Sequence, residues 1–359
     1  MKNSQILTAT MALCCAGMGS AFAQNSVTLY GQIDTGLAYA THVGDGGQSV
    51  IKAQDSILGV SSFGLKGSED LGGGVKTIFN LQLGFNPSDG KYDNPNDQGF
   101  DRNAYVGLSS NAGTVTVGHQ WDLNDDWLVG SVFGCGYNSG APFKFHEFDA
   151  LSEYYNNSIK YVTPTVGGLQ GAVFYALGGV AGDFTQGSVL NLGVRYTLAS
   201  LYVAATYDQE DSSSTSGAKY KLATLGAQYT FGQLRTRLGY SHADITGVGT
   251  FESIISQPAQ NANLVEAGVD YTFNAAFTLS GDYLYKNNST FSNHTSEYRL
   301  LAAYSLSKRT QLIANLAYLK NSGGATEAMY NMDDPASGTY GGLPNSDQTA
   351  FTVGIRHSF

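Results

Sequence analysis

The sequence predicts an all-β protein: a transmembrane, antiparallel, up-and-down barrel of sixteen strands. Three observations predict it. Apolar residues recur with period two through nearly the whole chain, the connections alternate between short and long, and charge is scarce without high hydropathy. Of 359 residues, 42% are hydrophobic and 13% charged, against roughly 25% charged in ordinary domains. Mean hydropathy is −0.15, which suits polar surface turned inward. The 45 Gly, 23 Tyr and 18 Phe, with only 7 Pro, favour strands and tight turns. No apolar run is long enough for a membrane-spanning helix.

The first 23 residues stand apart. Lys2 gives a short positive region, residues 6–17 form an apolar stretch, and Ala21-Phe22-Ala23 is a small-x-small cleavage site. This reads as a secretory signal peptide; a retained anchor would need a longer apolar stretch. Residues 24–359 then form a single barrel domain. Cys14 and Cys15 fall within the signal, which leaves Cys135 and no intrachain disulfide.

The strands follow by parity. Near residues 27–40, Leu29, Ile33 and Leu37 alternate with Tyr30, Gln32 and Asp34. A strand over 58–67 puts Phe63 and Leu65 opposite Ser62 and Lys66. Over 75–84, Phe79, Leu81 and Leu83 oppose Lys76, Asn80 and Gln82. Further on, Leu192 and Val194 oppose Asn191 and Arg195, and Leu234, Leu238 and Tyr240 oppose Arg235 and Arg237. Val265 and Val269 oppose Glu266 and Asp270, and Tyr283 and Tyr285 oppose Ser280 and Asp282. At the end, Phe351, Val353, Ile355 and Phe359 alternate with Thr352, Gly354 and Arg356. One face is oily and one wet, as lipid outside and water inside require. Tyr196, Tyr207, Tyr229, Tyr240, Tyr271, Tyr283, Tyr285, Tyr304, Tyr318 and Phe359 sit near strand ends, where amphipathic rings suit the headgroup level.

Seven short connections (such as 69–74, 110–113, 198–200 and 230–232) alternate with eight long polar ones (43–50, 86–99, 121–153, 178–187, 208–218, 243–261, 287–295 and 321–347). Fifteen connections imply sixteen strands; an even number lets first and last pair and removes the sheet edges. A soluble sandwich would show irregular loops and apolar inward residues. Net charge is −10, which argues against nucleic acid as a partner. The six His (42, 119, 146, 242, 294 and 357) are scattered without metal spacing, and no Gly-x-Ser-x-Gly elbow occurs. No cofactor or metal is implied, and an enzyme on the barrel lacks its constellation.

Three segments carry a resemblance: Val27-Thr28-Leu29-Tyr30-Gly31-Gln32-Ile33-Asp34; Ser61 through Phe63-Gly64-Leu65-Lys66-Gly67 to Glu69-Asp70-Leu71-Gly72-Gly73-Gly74-Val75-Lys76; and Arg102-Asn103-Ala104-Tyr105-Val106-Gly107-Leu108, continuing to Gly118-His119-Gln120. Asn156-Asn157-Ser158-Ile159-Lys160-Tyr161 and the terminal Gly354-Ile355-Arg356-His357-Ser358-Phe359 support them. In order and spacing they resemble the general porins of Gram-negative bacteria, in the beta-proteobacterial, neisserial-like branch. The resemblance implies a homotrimer of barrels in the outer membrane, in contact with its lipids and lipopolysaccharide, for passive diffusion of ions and small hydrophilic solutes. It implies that the third loop, residues 121–153, folds inward. It also implies that Phe359 is the assembly signal read by the barrel-assembly machinery.

A constriction needs opposed fixed charges. The acidic candidates are Glu147 and Asp149 first, then Asp122, Asp125 and Asp126. On the wall, Arg102 matches the family's arginine, and Lys160 and Lys76 have inward parity. The chain departs from the pattern at Ser62 and His119, where such porins carry Arg, at Tyr154 near a frequent Arg position, and at Gln32, which is neutral. These losses predict a pore that is weakly anion-selective or cation-selective. Arg195, Arg235, Arg237, Arg299 and Arg356 form either a basic ladder or ion pairs with acids such as Glu266 and Asp282. A pore specific for sugars or organic acids is the nearest alternative, since Trp121, Trp127, Phe133, Phe143, Phe145 and Phe148 crowd the third loop.

Overall fold

A computed structural model describes residues 26–44, 46–93, 99–134, 148, 153–251, 258–329 and 342–359. The signal segment, Cys135, Glu147 and Asp149 lie outside the described residues.

Seventeen strand segments build one closed sheet. They are β1 (Ser26–Val43), β2 (Gln48–Asp55), β3 (Ser62–Gly72), β4 (Val75–Gly84), β5 (Asn103–Ser110), β6 (Gly113–Trp121), β7 (Tyr154–Val162), β8 (Leu169–Ala176) and β9 (Val189–Leu198), followed by β10 (Leu201–Asp211), β11 (Lys219–Phe231), β12 (Leu234–Thr246), β13 (Gln260–Thr272), β14 (Phe277–Asn288), β15 (Asn293–Ser305), β16 (Thr310–Ser322) and β17 (Asp347–Ser358). Apart from β2 and β3, neighbours in sequence pair antiparallel, and β1 closes on β17 from Gln32↔Ser358 to Ala40↔Ala350. Phe359 completes the seam: its N–H donates to the Gly31 carbonyl (3.0 Å), and the Gly31 N–H donates to its carbonyl (3.2 Å).

The segments make sixteen spans, because β2 and β3 are one strand interrupted. Both pair with β1, β2 along 35–43 and β3 along 26–32. The expected strand over 58–67 is therefore corrected: residues 56–61 leave the ladder. The cause is Asp34. Its buried carboxylate accepts the N–H groups of Ile57 (3.2 Å), Leu58 (2.7 Å) and Gly59 (3.0 Å), while the Ser56 N–H donates to its carbonyl (2.9 Å). Three backbone donors on one carboxylate replace the ladder bonds that β1 would have made. Ile57 then turns inward over Gly36 and Gly354, where a Cβ would come within 2.8 and 2.2 Å of its Cδ1.

Strict alternation of connection lengths also fails. Only residues 44–47 join β1 to β2 and only 289–292 join β14 to β15. Outside the bilayer a strand end can be polar on both faces, so polarity alone does not separate strand from loop.

The outward face carries the large exposed apolar side chains, among them Leu29, Leu37, Val106, Leu192, Leu225, Leu238, Leu300 and Ile355. Tyr229, Tyr240, Tyr271, Tyr283 and Tyr304 are exposed on the same face. The inner face is polar on one level and apolar on another. Toward the long-loop end, Tyr220, Leu222, Ala243, Ile245, Ala262, Leu264, Leu284 and Leu319 point inward and are buried with Phe251 and Met329 from the loops. The expectation of a uniformly wet interior is corrected here. Folded loop segments cover these positions, so water does not reach them.

Candidate functional site

Residues 122–134 leave β6 and lie against the inner faces of β9 to β13. The segment opens with the single turn α1 (Leu123–Trp127), capped by Asp122, whose Oδ1 accepts the Asp125 N–H at 2.7 Å. Three inward glycines receive the segment. A Cβ on Gly193 would lie 2.6 Å from Trp127, one on Gly226 2.7 Å from Leu128, and one on Gly239 2.3 Å from Phe133. Glycine in a strand interior weakens the strand and marks close approach by another element. Leu123, Leu128, Val132 and Phe133 are fully buried there, each worth about 1.5–3 kcal/mol of apolar transfer.

Polar bonds fix the same segment. The Tyr202 hydroxyl donates to the Trp127 carbonyl, and Arg237 Nη1 donates to the Val132 carbonyl (3.1 Å). The Gly134 N–H donates to the Glu266 carboxylate (3.1 Å). Arg237 also pairs with Asp282 (2.6 Å), Asp270 (3.0 Å) and Glu266 (3.4 Å), and Arg299 reaches Glu266 (2.9 Å). Arg235 pairs with Asp270 at 2.7 Å. Three of the five wall arginines are thus ion-paired. The other two bond amides: Arg195 donates to Gln170 (2.8 Å) and Arg356 to Gln32 (2.6 Å).

The candidate acids separate into two roles. Asp122 is buried; its Oδ2 accepts from Asn124 at 2.8 Å. Burial, and then the charge of Asp208, push its pKa well above the usual carboxylate range. Asp125 is half-buried and Asp126 exposed. Asp126 holds Lys160, whose ammonium also donates to the Trp121 carbonyl (2.8 Å).

Arg102 immediately precedes β5, so its partners fix its direction. Its guanidinium lies over the rings of Trp121 (5.1 Å) and Tyr154 (5.3 Å) and pairs with Asp93 at 3.8 Å. Burial works against its charge, but Tyr154, Asp93, Asp125 and Asp101 outweigh it and raise its pKa. His119 stacks on Tyr154 at 5.6 Å and bonds Asn156 and the Asp101 carbonyl. Arg102, His119, Tyr154 and Trp121 therefore form one cluster, and Lys160 with Asp126 stands beside it through the Trp121 carbonyl. Lys76 is remote from both; it is exposed at the short-turn end of β4, opposite Asp70.

Ser62 and Gln32 lie on the inner face of the opposite wall. Ser62 Oγ accepts from Gln82 (3.1 Å), and Gln32 Nε2 donates to the Val60 carbonyl (2.8 Å). Here several inner side chains stay half-exposed, Tyr30, Gln32, Asn80, Gln82 and Tyr105, and Lys66 is exposed. Along β12 to β15 the inner positions 235–245, 260–270, 280–288 and 295–301 are almost all buried. One side of the barrel is covered over most of its inner face; the other keeps accessible polar side chains below the buried Asp34, Ser62 and Asn103. Sequence reasoning missed Gly193, Gly226 and Gly239 as the seat of the loop, although inward-parity glycines in three strands were a readable sign.

A family model described as Gram-negative porin matches residues 8–324. The chain belongs to the Gram-negative porin family. It is 30% identical to outer membrane porin protein 32 of Delftia acidovorans, over all of both chains. Its fold is similar to the anion-selective porin from Comamonas acidovorans, with a TM-score of 0.80, 25% identity, and coverage of 94% of this chain and 100% of that one. In-vitro-folded OmpT of Vibrio cholerae, in its trimer form, shares the fold at a TM-score of 0.66 and 17% identity, covering 93% and 99%. The porin is an outer-membrane protein of a Gram-negative cell, and its sixteen spans are those of a porin barrel.

Proposed function

We propose that this porin is a general diffusion channel for ions and small hydrophilic solutes, narrowed by its third loop over residues 121–153. One observation carries the reading. The inner wall from β9 to β15 is largely covered, whereas on β1 and β3 to β5 the inner Tyr30, Gln32, Lys66, Asn80, Gln82 and Tyr105 stay accessible, so the passage runs along that side. Asp125 and Asp126 supply the acidic side of the constriction, joined by Glu147 and Asp149; Arg102 and Lys160 supply the basic side. Opposed charges of this kind orient dipolar solutes.

The anion selectivity named for the Comamonas porin does not transfer in strength. Ser62 and Gln32 are neutral, and Lys160 is offset by Asp126. The pore is weakly selective. Single-channel recording in a planar bilayer, with reversal potentials in a KCl gradient, tests this; a strong anion preference overturns the selectivity, and failure to conduct overturns the channel.

The working unit is a homotrimer, as for the Vibrio relative in its trimer form, embedded in lipid and lipopolysaccharide. Residues 1–23 are removed on export and Phe359 is read during assembly. No catalytic role and no cofactor belong to this reading.

A further inference from the structure

The open wall carries a belt of uncharged hydrogen-bonding groups. Asn103 Nδ2 donates to Gln82 Oε1 (3.0 Å), and Gln82 Nε2 donates to Ser62 Oγ (3.1 Å). Gln32 is paired with Ser62 in register. Its Oε1 accepts from Arg356 (2.6 Å), and its Nε2 donates to the Val60 carbonyl (2.8 Å). Two bonded runs, Asn103–Gln82–Ser62 on β5 to β3 and Gln32–Arg356 on β1 and β17, thus meet side by side at Ser62 and Gln32. Each bond fixes which way an amide points. A primary amide has two N–H donors, and these bonds use one from each of Asn103, Gln82 and Gln32. Gln82 and Gln32 are half-exposed to the passage, whereas Ser62 and Asn103 are buried behind them and hold their amides in place.

Just below stand two tyrosines. The Tyr30 hydroxyl donates to Asn80 Oδ1 (2.6 Å) and Lys66 lies over its ring (4.7 Å). Tyr105, in register with Asn80, points inward and is half-exposed.

Arg356 keeps its charge while donating to Gln32, and Lys66 adds another below, so small anions are not excluded here. The uncharged groups between them suit a solute with many hydroxyl oxygens. Such a solute sheds part of its hydration in a narrow passage, and oriented amide donors replace those bonds. The apolar face of a ring sugar can rest on Tyr105. We propose that the Asn103–Gln82–Ser62–Gln32 belt, with Tyr105, is a subsite for neutral polyhydroxylated solutes of the sugar class. The proposal rests on the diffusion-channel reading and names a solute that the channel prefers.

The test uses the full protein in liposomes and compares swelling in sucrose with swelling in a poly(ethylene glycol) of matched hydrodynamic radius, each normalised to KCl conductance. The expected result is a sucrose rate about three- to tenfold above the polymer's, the worth of one retained hydrogen bond. In Gln82→Leu with Asn103→Leu the ratio should fall toward one. Gln82→Met, which keeps side-chain length, is the second variant should the first not fold, as read by heat-modifiable gel mobility. Equal rates in the parent protein, or a ratio unchanged in the folded variants, overturn the subsite while leaving the channel standing. A parent protein without KCl conductance overturns the channel reading itself.

Discussion

Replacing Arg237 with Met tests whether wall charges hold the third-loop segment. The Arg237 guanidinium is fully buried and bonds three carboxylates and the Val132 carbonyl. Methionine keeps much of the volume and none of the donors. Among the described residues, Asp282, also fully buried, would keep only Arg299 at 3.6 Å as an ion partner. Removing one partner of a buried ion pair costs about 3–5 kcal/mol. That lowers the docked-to-undocked ratio of the segment by roughly two to three and a half decades if the whole loss falls on docking. The share borne by the Val132 bond alone, to a charged donor, is about 1.5–3 kcal/mol. Two measurements read it. The urea midpoint of the detergent-solubilised protein should fall, and single-channel records should show added open-channel noise and a broader conductance distribution. Arg237→Lys, which keeps the charge without the fork, should lie between. A variant with an unchanged midpoint and an unchanged conductance distribution would refute the anchoring role.

Asp122 predicts a pH dependence. Its raised pKa means that the fold favours the protonated acid. This contribution is fully present below the ordinary carboxylate pKa and is lost as pH rises through the raised value. Asp122→Asn, which keeps the cap oxygen, should flatten the thermal midpoint against pH above the ordinary carboxylate range; an unchanged slope would refute it. Asp126→Asn frees Lys160 and should move the reversal potential in a KCl gradient toward anions, by several millivolts or more; no shift would remove Asp126 from the passage. Gly239→Leu would drive a side chain into the Phe133 ring, at an overpacking cost of about 1–3 kcal/mol, and should alter conductance by displacing the loop; parental conductance would show that the loop does not rest there. Deleting Phe359 removes both seam bonds to Gly31 and should lower the yield of heat-modifiable barrel in membranes; parental yield would count against any role at closure.

The class of fold was legible because lipid imposes a rule that sequence must obey residue by residue. With no water in the hydrocarbon, each backbone group must pair and each outward side chain must be apolar, so Leu29, Leu238 and Ile355 declare their face by parity. The inside imposes no such local rule. Inward Leu222, Leu264 and Leu284 break the polar pattern only because distant loop segments cover them. The interruption at residues 56–61 depends on Asp34, more than twenty residues earlier, a distance across which no periodicity carries a signal.

The candidate site divides the same way. Period two chose the inward residues, and Arg102, Lys160, Ser62 and Gln32 were all found by it or by the resemblance it supported. It could not say which of them meet. Stacking of Arg102 on Trp121 and Tyr154, pairing of Lys160 with Asp126, use of Asp122 as a cap and seating of Phe133 on Gly239 are set by strand register and by where a loop lands. Sequence alone determined a barrel with a polar lining, because alternation is a local property of the chain. Only tertiary structure decided which side of that lining stays open, because this depends on contacts between residues far apart along it.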